Sequence, residues 1–251
     1  MPITKILRAI LYSVLFIACS DTSSTSDSNA TGQGGSLTRF AINGNYLYIV
    51  DHNAIQVFNT QNSTFEKIGS VDVSSGLETI FVKGNYLYLG AQDAMFIYDI
   101  SIPQSPSFIF RYSHITSCDP VVVQGNRAYV TLRSGSRCNL GVNALEIIDI
   151  TNPYNPTLIA NYPMTSPHGL GVDGNLLFIC EGSAGLKVYD ITNEHQIQLR
   201  KEVTNIDAYD VIPKDGLLTL TGEDGIFQYR YNTETGDVNL VSTIPVNRAE
   251  I

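Results

Sequence analysis

The side chains of this chain that could do chemistry are acids and imidazoles at equivalent places in a recurring unit. Glu78, Asp119, His168, Tyr209 and Asp210 stand where the chain enters a strand-like run, and Asp51, His52, Asp93, Glu181, Glu223 and Asp224 lie in the turn after the next run. In an up-and-down sheet these two connections emerge on one side, so the eleven residues share a loop face. Such a face suits a cation or a small polar ligand, with carboxylates as hard oxygen ligands or His168 and His52 as nitrogen ligands. The plainer alternative is a solvated acidic rim, because no two of these residues keep a fixed ligand spacing. The chain has no G-x-S-x-G elbow, no phosphate-cradling glycine loop, no H-E-x-x-H and no C-x-x-C. Two rim carboxylates could be paired in the manner of a glycosidase, but nothing separates any two from the others. No catalytic residue is named and no cofactor is expected, although a calcium ion would suit the acids.

The elements that must position these residues are short strands. GNYLYIV from Gly44, GNYLYLG from Gly84, GNRAYVT from Gly125 and GNLLFIC from Gly174 are copies of one pattern, and DGLLTLT from Asp215 is a degenerate fifth. A spacing of forty-odd residues points to a solenoid, an array or a propeller. The second copy divides into four strands, Thr79–Val82, Tyr86–Leu89, Met95–Tyr98 and Ser107–Tyr112. The Gly-Asn pair supplies a tight first turn, because both residues tolerate positive φ. The third strand of copies two to four closes on Asp99, Asp149 or Asp190, where an Asx-type turn is expected; Asn59 takes that place in the first copy and Arg230 in the fifth.

Inner runs such as Leu176-Leu177-Phe178-Ile179 are apolar on both faces, so each sheet is sandwiched between neighbours, as propeller blades are. The fold class expected is all-β, a propeller of five four-stranded blades. An open stack would need polar caps, and neither FAINGNYLYIV nor GLLTLTGEDGIFQYRY reads as one, so the first and last copies are expected to bury one another. The last strand, about Val238 to Ile244, completes the fifth blade.

The G-N-x-x-Y/F strand, the G-L-x-φ-φ-D-I-S/T strand (φ here an apolar residue) and the N-P-x-x-P turn together resemble the LVIVD-repeat proteins, over about Leu37 to Val246. The third and fourth copies match best; the first lacks the proline turn and the fifth has lost Gly-Asn and Asp-Ile-Ser/Thr. The resemblance implies a β-propeller in a bacterial secreted or surface protein, and implies no reaction.

The amino terminus reads as an address. Lys5 and Arg8 precede a ten-residue apolar run, Ala9 to Ala18, that is too short to span a hydrocarbon core of about 30 Å. Residues 1–18 are therefore expected to be a cleaved signal peptide. Leu15 to Cys19, LFIAC, resembles a bacterial lipoprotein box, with Phe16 where the commonest version has leucine. This resemblance implies that Cys19 is acylated and becomes the mature first residue. Residues 19–36 hold that cysteine and a Ser/Thr/Gly-rich tether, 37–246 the propeller and 247–251 a tail. Of the other cysteines, Cys118 precedes a first strand and Cys138 lies in a long hairpin loop on the same side. A disulfide between them is expected, worth about 3 kcal/mol by loop closure. Cys180 shares a strand face with Leu176 and Phe178 and reads as a buried free thiol.

At 251 residues and a formal charge of −9 the chain can bury a sizeable core and is a poor partner for nucleic acid. The leading expectation is a non-enzymatic binding module of the bacterial envelope, a monomeric domain lipid-anchored at the outer membrane or surface, contacting an unknown protein or glycan. The alternatives are an extracytoplasmic hydrolase using rim carboxylates and a metal-stabilised structural envelope protein.

Overall fold

A computed structural model describes residues 34–62, 64–73, 76–113, 120–134 and 142–246. Blade 1 comprises β1 (Phe40–Asn43), β2 (Tyr46–Asp51), β3 (Ala54–Asn62) and β4 (Thr64–Asp72). Blade 2 comprises β5 (Leu77–Lys83), β6 (Tyr86–Ala91), β7 (Ala94–Asp99) and β8 (Ser107–Ser113). Blade 3 comprises β9 (Val121–Gln124), β10 (Arg127–Leu132), β11 (Ala144–Asp149) and β12 (Thr157–Pro163). Blade 4 comprises β13 (Leu170–Asp173), β14 (Leu176–Cys180), β15 (Leu186–Asp190) and β16 (Gln198–Val203). Blade 5 comprises β17 (Ala208–Lys214), β18 (Leu217–Gly222), β19 (Gly225–Tyr231) and β20 (Val238–Pro245). Each blade is an antiparallel sheet with its strands in chain order. Five four-stranded blades is the architecture the repeats lead one to expect. Among the described residues all strands lie between Phe40 and Pro245.

The tight first turn forms at each Gly-Asn pair with the glycine alone left-handed. Gly44, Gly84, Gly125 and Gly174 have φ between 55° and 57°, while the following asparagines are not at positive φ. That pattern fits a type II′ hairpin turn, which needs only its first residue left-handed. In the fifth copy both Asp215 (φ 51°) and Gly216 (φ 75°) are left-handed, the pattern of type I′. Both turns join adjacent strands in register, and in each the second residue's carbonyl accepts an N–H at the end of the third strand: Asn85 from Ile100 at 2.8 Å, Gly216 from Tyr231 at 2.9 Å. The Asx turns form as expected. Oδ1 of Asp99, Asp149, Asp190 and Asn59 accepts the backbone N–H two residues on, at 2.6–2.8 Å.

Alternation along the inner strands gives blades 2 to 4 two apolar faces each. The face toward the following blade is the trailing face and the other the leading face. Tyr48, Val50, Ile55 and Val57 of blade 1 meet Leu87, Leu89, Phe96 and Tyr98 of blade 2. Equivalent clusters join blades 2 and 3, 3 and 4, and 4 and 5. Cys180, fully buried and free, is part of the last.

Among the described residues, no apolar cluster joins blade 5 to blade 1, and the expected closure by mutual burial is not what the structure has. The reason lies in the register of β18 and β19. Leu218 and Leu220 face blade 4, which leaves Thr219 and Thr221, with Gln228 and Ile226 opposite them, on the trailing face. The equivalents in blade 4 are Phe178, Cys180, Val188 and Leu186, all buried. The LTLT run is a polar rewriting of one face, of the kind an end repeat carries.

Candidate functional site

The residues leading into β1 do not stay at the edge of the first blade; they cross the axis of the molecule. Ser36, 1 % exposed, donates from Oγ to Asp210 Oδ1 at 2.9 Å and accepts Leu170 N–H at 2.8 Å. Leu37 N–H donates to Asp210 Oδ2 at 3.3 Å, and Ile80 N–H donates to the Thr38 carbonyl at 3.0 Å. One short segment thus ties blades 5, 4 and 2 to blade 1 and plugs the axial channel at the loop face. Gly35 and Gly169 permit it: a Cβ at either would stand 2.0 or 2.2 Å from an Asp210 carboxylate oxygen. Burial pushes the Asp210 carboxyl up from its ordinary value, against the pull of the hydrogen bonds it accepts.

The other expected site residues on this face are also engaged. Glu181 is fully buried; its Oε2 accepts the N–H groups of Thr165 and Ser166 at 3.0 and 2.5 Å, and Lys187 Nζ lies 3.5 Å from Oε1. His168 Nδ1 lies 2.7 Å from the Ser166 carbonyl and Nε2 lies 3.1 Å from Arg133 Nη1. These partners assign a neutral imidazole that donates from Nδ1 and accepts at Nε2. Burial, ahead of all other causes, lowers the His168 pKa. Tyr209 packs against the His168 ring at 5.6 Å and donates its hydroxyl to Glu223. His168, Tyr209 and Glu223 therefore form one cluster with Glu181 and Asp210 close behind.

The remaining residues stand apart. Asp51 accepts from Gln56, Asp93 pairs with Arg111 at 2.6 Å, Glu78 accepts from Gln92 at 3.4 Å, and His52 and Asp224 are exposed. Among the described residues no group of three or more His, Cys, Asp or Glu side chains could hold a metal ion. Asp119, Cys118, Cys138 and Cys19, with the signal and most of the tether, lie outside the described residues.

Among the described residues a concavity opens at the other end. A cavity of about 530 Å³ runs along the axis from Gly34 and Thr38 at the plug to the Gly-Asn turns, where exposed Gly84, Gly125, Lys214 and Asp215 form its mouth. Its wall mixes Ile80, Val82, Val122, Leu170 and Val211 with polar Thr38 and main chain, and its rim is polar. The rim residues occupy one repeat position, the last of each first strand: Asn43, Lys83, Gln124, Asp173 and Lys214. Asn43 Nδ2 donates to the Gly84 carbonyl at 3.0 Å, Lys83 Nζ to that of Gly125, and Gln124 Nε2 to that of Gly174 at 2.7 Å. Asp173 instead accepts from the Tyr231 hydroxyl. Each brace ties a blade to the next, and among the described residues the series ends at exposed Lys214. Sequence reasoning missed this ring, although its position immediately before each turn was there to be read.

The LVIVD repeat family matches residues 34–57, 78–114 and 117–164. No curated protein matches the chain. Among solved structures, the chain is similar to a functionally unknown protein from Desulfotomaculum acetoxidans, at 11 % identity and TM-score 0.69, with 80 % of this chain and 67 % of that one covered. It is also similar to a putative 6-phosphogluconolactonase from Bacteroides uniformis, at 13 % identity and TM-score 0.66, with 81 % and 69 % covered. A third is the periplasmic gluconolactonase of Pseudomonas aeruginosa, at 12 % identity and TM-score 0.61, with 81 % and 68 % covered. The chain thus spans about two thirds of the length of these neighbours, and the likeness is one of fold.

Proposed function

Because the chain carries LVIVD repeats on a five-bladed β-propeller, we propose that it is a non-enzymatic binding module of the bacterial envelope, anchored through acylated Cys19, that takes its ligand or partner at the cavity mouth on the turn face. The observation that carries this reading is the division of labour between the two ends. On the loop face Glu181, Asp210 and Glu223 accept hydrogen bonds from the protein itself. Among the described residues a concavity opens at the opposite end, with a mixed wall and a polar rim that suit a small polar ligand or a partner's loop.

Two measurements test it. A palmitate analogue is expected to label the wild type and to miss Cys19→Ser; equal labelling removes the anchor. Capture of one partner from envelope extract is expected with the wild type and lost with Val82→Trp, which fills the cavity, while the melting curve is kept. Capture unaffected by Val82→Trp moves the binding face elsewhere. Turnover of a panel of sugar lactones, suggested by the names of two fold neighbours, overturns the non-enzymatic part.

A further inference from the structure

The junction of blades 3 and 4 departs from the repeat in its chemistry. The position that holds Tyr46, Tyr86 and Leu176 in other blades holds Arg127 in blade 3, and the turn position of Pro103 and Pro153 holds Glu194 in blade 4. Arg127 Nε reaches across the junction to both Glu194 oxygens, at 2.7 and 2.8 Å, and its Nη1 lies 3.2 Å from Asp149 Oδ2. Beside this pair, on the turn face, is a groove of about 380 Å³ rimmed by exposed Asn126, Asn175 and Thr192. Tyr129 lines the groove although it is only 2 % exposed, and its hydroxyl has no hydrogen-bond partner among the described residues. Between blades 1 and 2 the equivalent hydroxyl, that of Tyr48, donates to the Pro103 carbonyl at 3.3 Å. The corresponding carbonyl here, that of Glu194, is taken by the Tyr162 hydroxyl at 2.7 Å. Tyr129 is thus a buried residue whose polar end is left for something in the groove to answer.

We infer that this groove binds a small neutral polyol, the adjacent hydroxyls of a sugar meeting Tyr129 and Glu194. The site goes beyond the function proposed above: it lies beside the axial mouth and shares with it only Gln124 and Gly125. A carboxylate has about four acceptor positions and Arg127 uses two, so Glu194 can still take hydroxyl donors. The tyrosine and threonine hydroxyls and the asparagine amides each donate and accept, which is what a hydroxyl needs of its partners. Charged ligands fit less well. Arg127 is already flanked by Glu194 and Asp149, two acids to one base, which disfavours an anion. The guanidinium in turn fills the place between the two carboxylates that a cation would take.

The test is titration calorimetry on the chain carrying Cys19→Ser, so its result is independent of the anchor and of partner capture. The probes are glucose, galactose, mannose and N-acetylglucosamine, each also as its methyl glycoside. At least one is expected to bind with a Kd of about 0.1–10 mM. Tyr129→Phe removes only the hydroxyl and is expected to weaken binding about fivefold with the melting curve kept. Glu194→Pro restores the residue of the other two turns and is expected to abolish binding. Tyr88→Phe, the same change at the equivalent position of blade 2, is expected to leave it unchanged. A methyl glycoside that binds as well as its free sugar assigns the site to the end of a glycan, and one that does not assigns it to a free sugar. No binding of any probe up to about 50 mM overturns the inference and leaves a groove filled by water alone. Binding that survives both Tyr129→Phe and Glu194→Pro overturns it as well, as does displacement of the sugar by inorganic phosphate.

Discussion

Ser36 is buried and Asp210 half-buried against it, so removing one leaves the other with an unanswered group. Ser36→Ala takes the acceptor from Leu170 N–H and a donor from Asp210 at once, and is expected to cost about 1–3 kcal/mol in urea denaturation. Glu146 tests burial of a charge in the opposite sense. It is 8 % exposed between blades 2 and 3, accepts from Asn161 at 3.3 Å through Oε1, and has no hydrogen-bond partner at Oε2 among the described residues. Burial raises its pKa, so the folded state holds the proton to higher pH than the unfolded chain. Its contribution is fully favourable below the unfolded value of about 4.3, declines as pH rises through the folded value and stays low above it. Glu146→Gln is accordingly expected to be more stable than wild type by about 1 kcal/mol at pH 7, with the difference shrinking by pH 4. In an alternating run, Asp210 and Glu146 look like any other acids. What distinguishes them is which segment folds back over them, and the Ser36 plug comes from a stretch whose composition signals only a linker.

The repeated turn separates two reasons for a glycine. Gly174 has φ 55° and open space around its missing Cβ, so Gly174→Ala is expected to cost only the backbone strain, about 1–2 kcal/mol. Gly171 lies within a strand, where a Cβ would stand 2.4 Å from Pro213 of the next blade. Gly171→Ala must displace β17 and is expected to lower the melting temperature more. The strands were legible because β-branched and aromatic residues crowd into runs punctuated by Gly-Asn and Asp-Ile-Ser/Thr. The Asx turns were legible too, including Asn59 standing in for aspartate. The rim ring was not, because Asn43, Lys83, Gln124, Asp173 and Lys214 share a position and a role but no residue type. A backbone carbonyl accepts any donor that reaches it, so the brace leaves no consensus to see.

For the molecule as a whole, the alternation of leucine and threonine in β18 hid which face is polar, and among the described residues no apolar cluster joins blade 5 to blade 1. A series held at four junctions rather than five frays from its ends. Hydrogen exchange is expected to be slowest in β10, β11 and β14, and faster in β2 and β19, which have an apolar neighbour on one side only. Deleting residues 236–251 removes β20 and uncaps the cluster around Phe178 and Tyr231, so blades 4 and 5 should loosen while blades 1 to 3 keep their protection. Uniform protection across all five blades would mean that the ends are held together more strongly than the Ser36 segment can account for.

The segment at Ser36 also decides what kind of hollow the molecule has. With it in place the axial cavity is a blind pit, entered and left by the turn face. A chain starting after Leu37 would turn the pit into a bore open at both ends, with the Asp210 carboxylate bared at one of them. Solvent could then flush it from behind, and anything held at the rim would have a second exit. Residues 34–38, which belong to no strand, therefore act as the floor of the vessel.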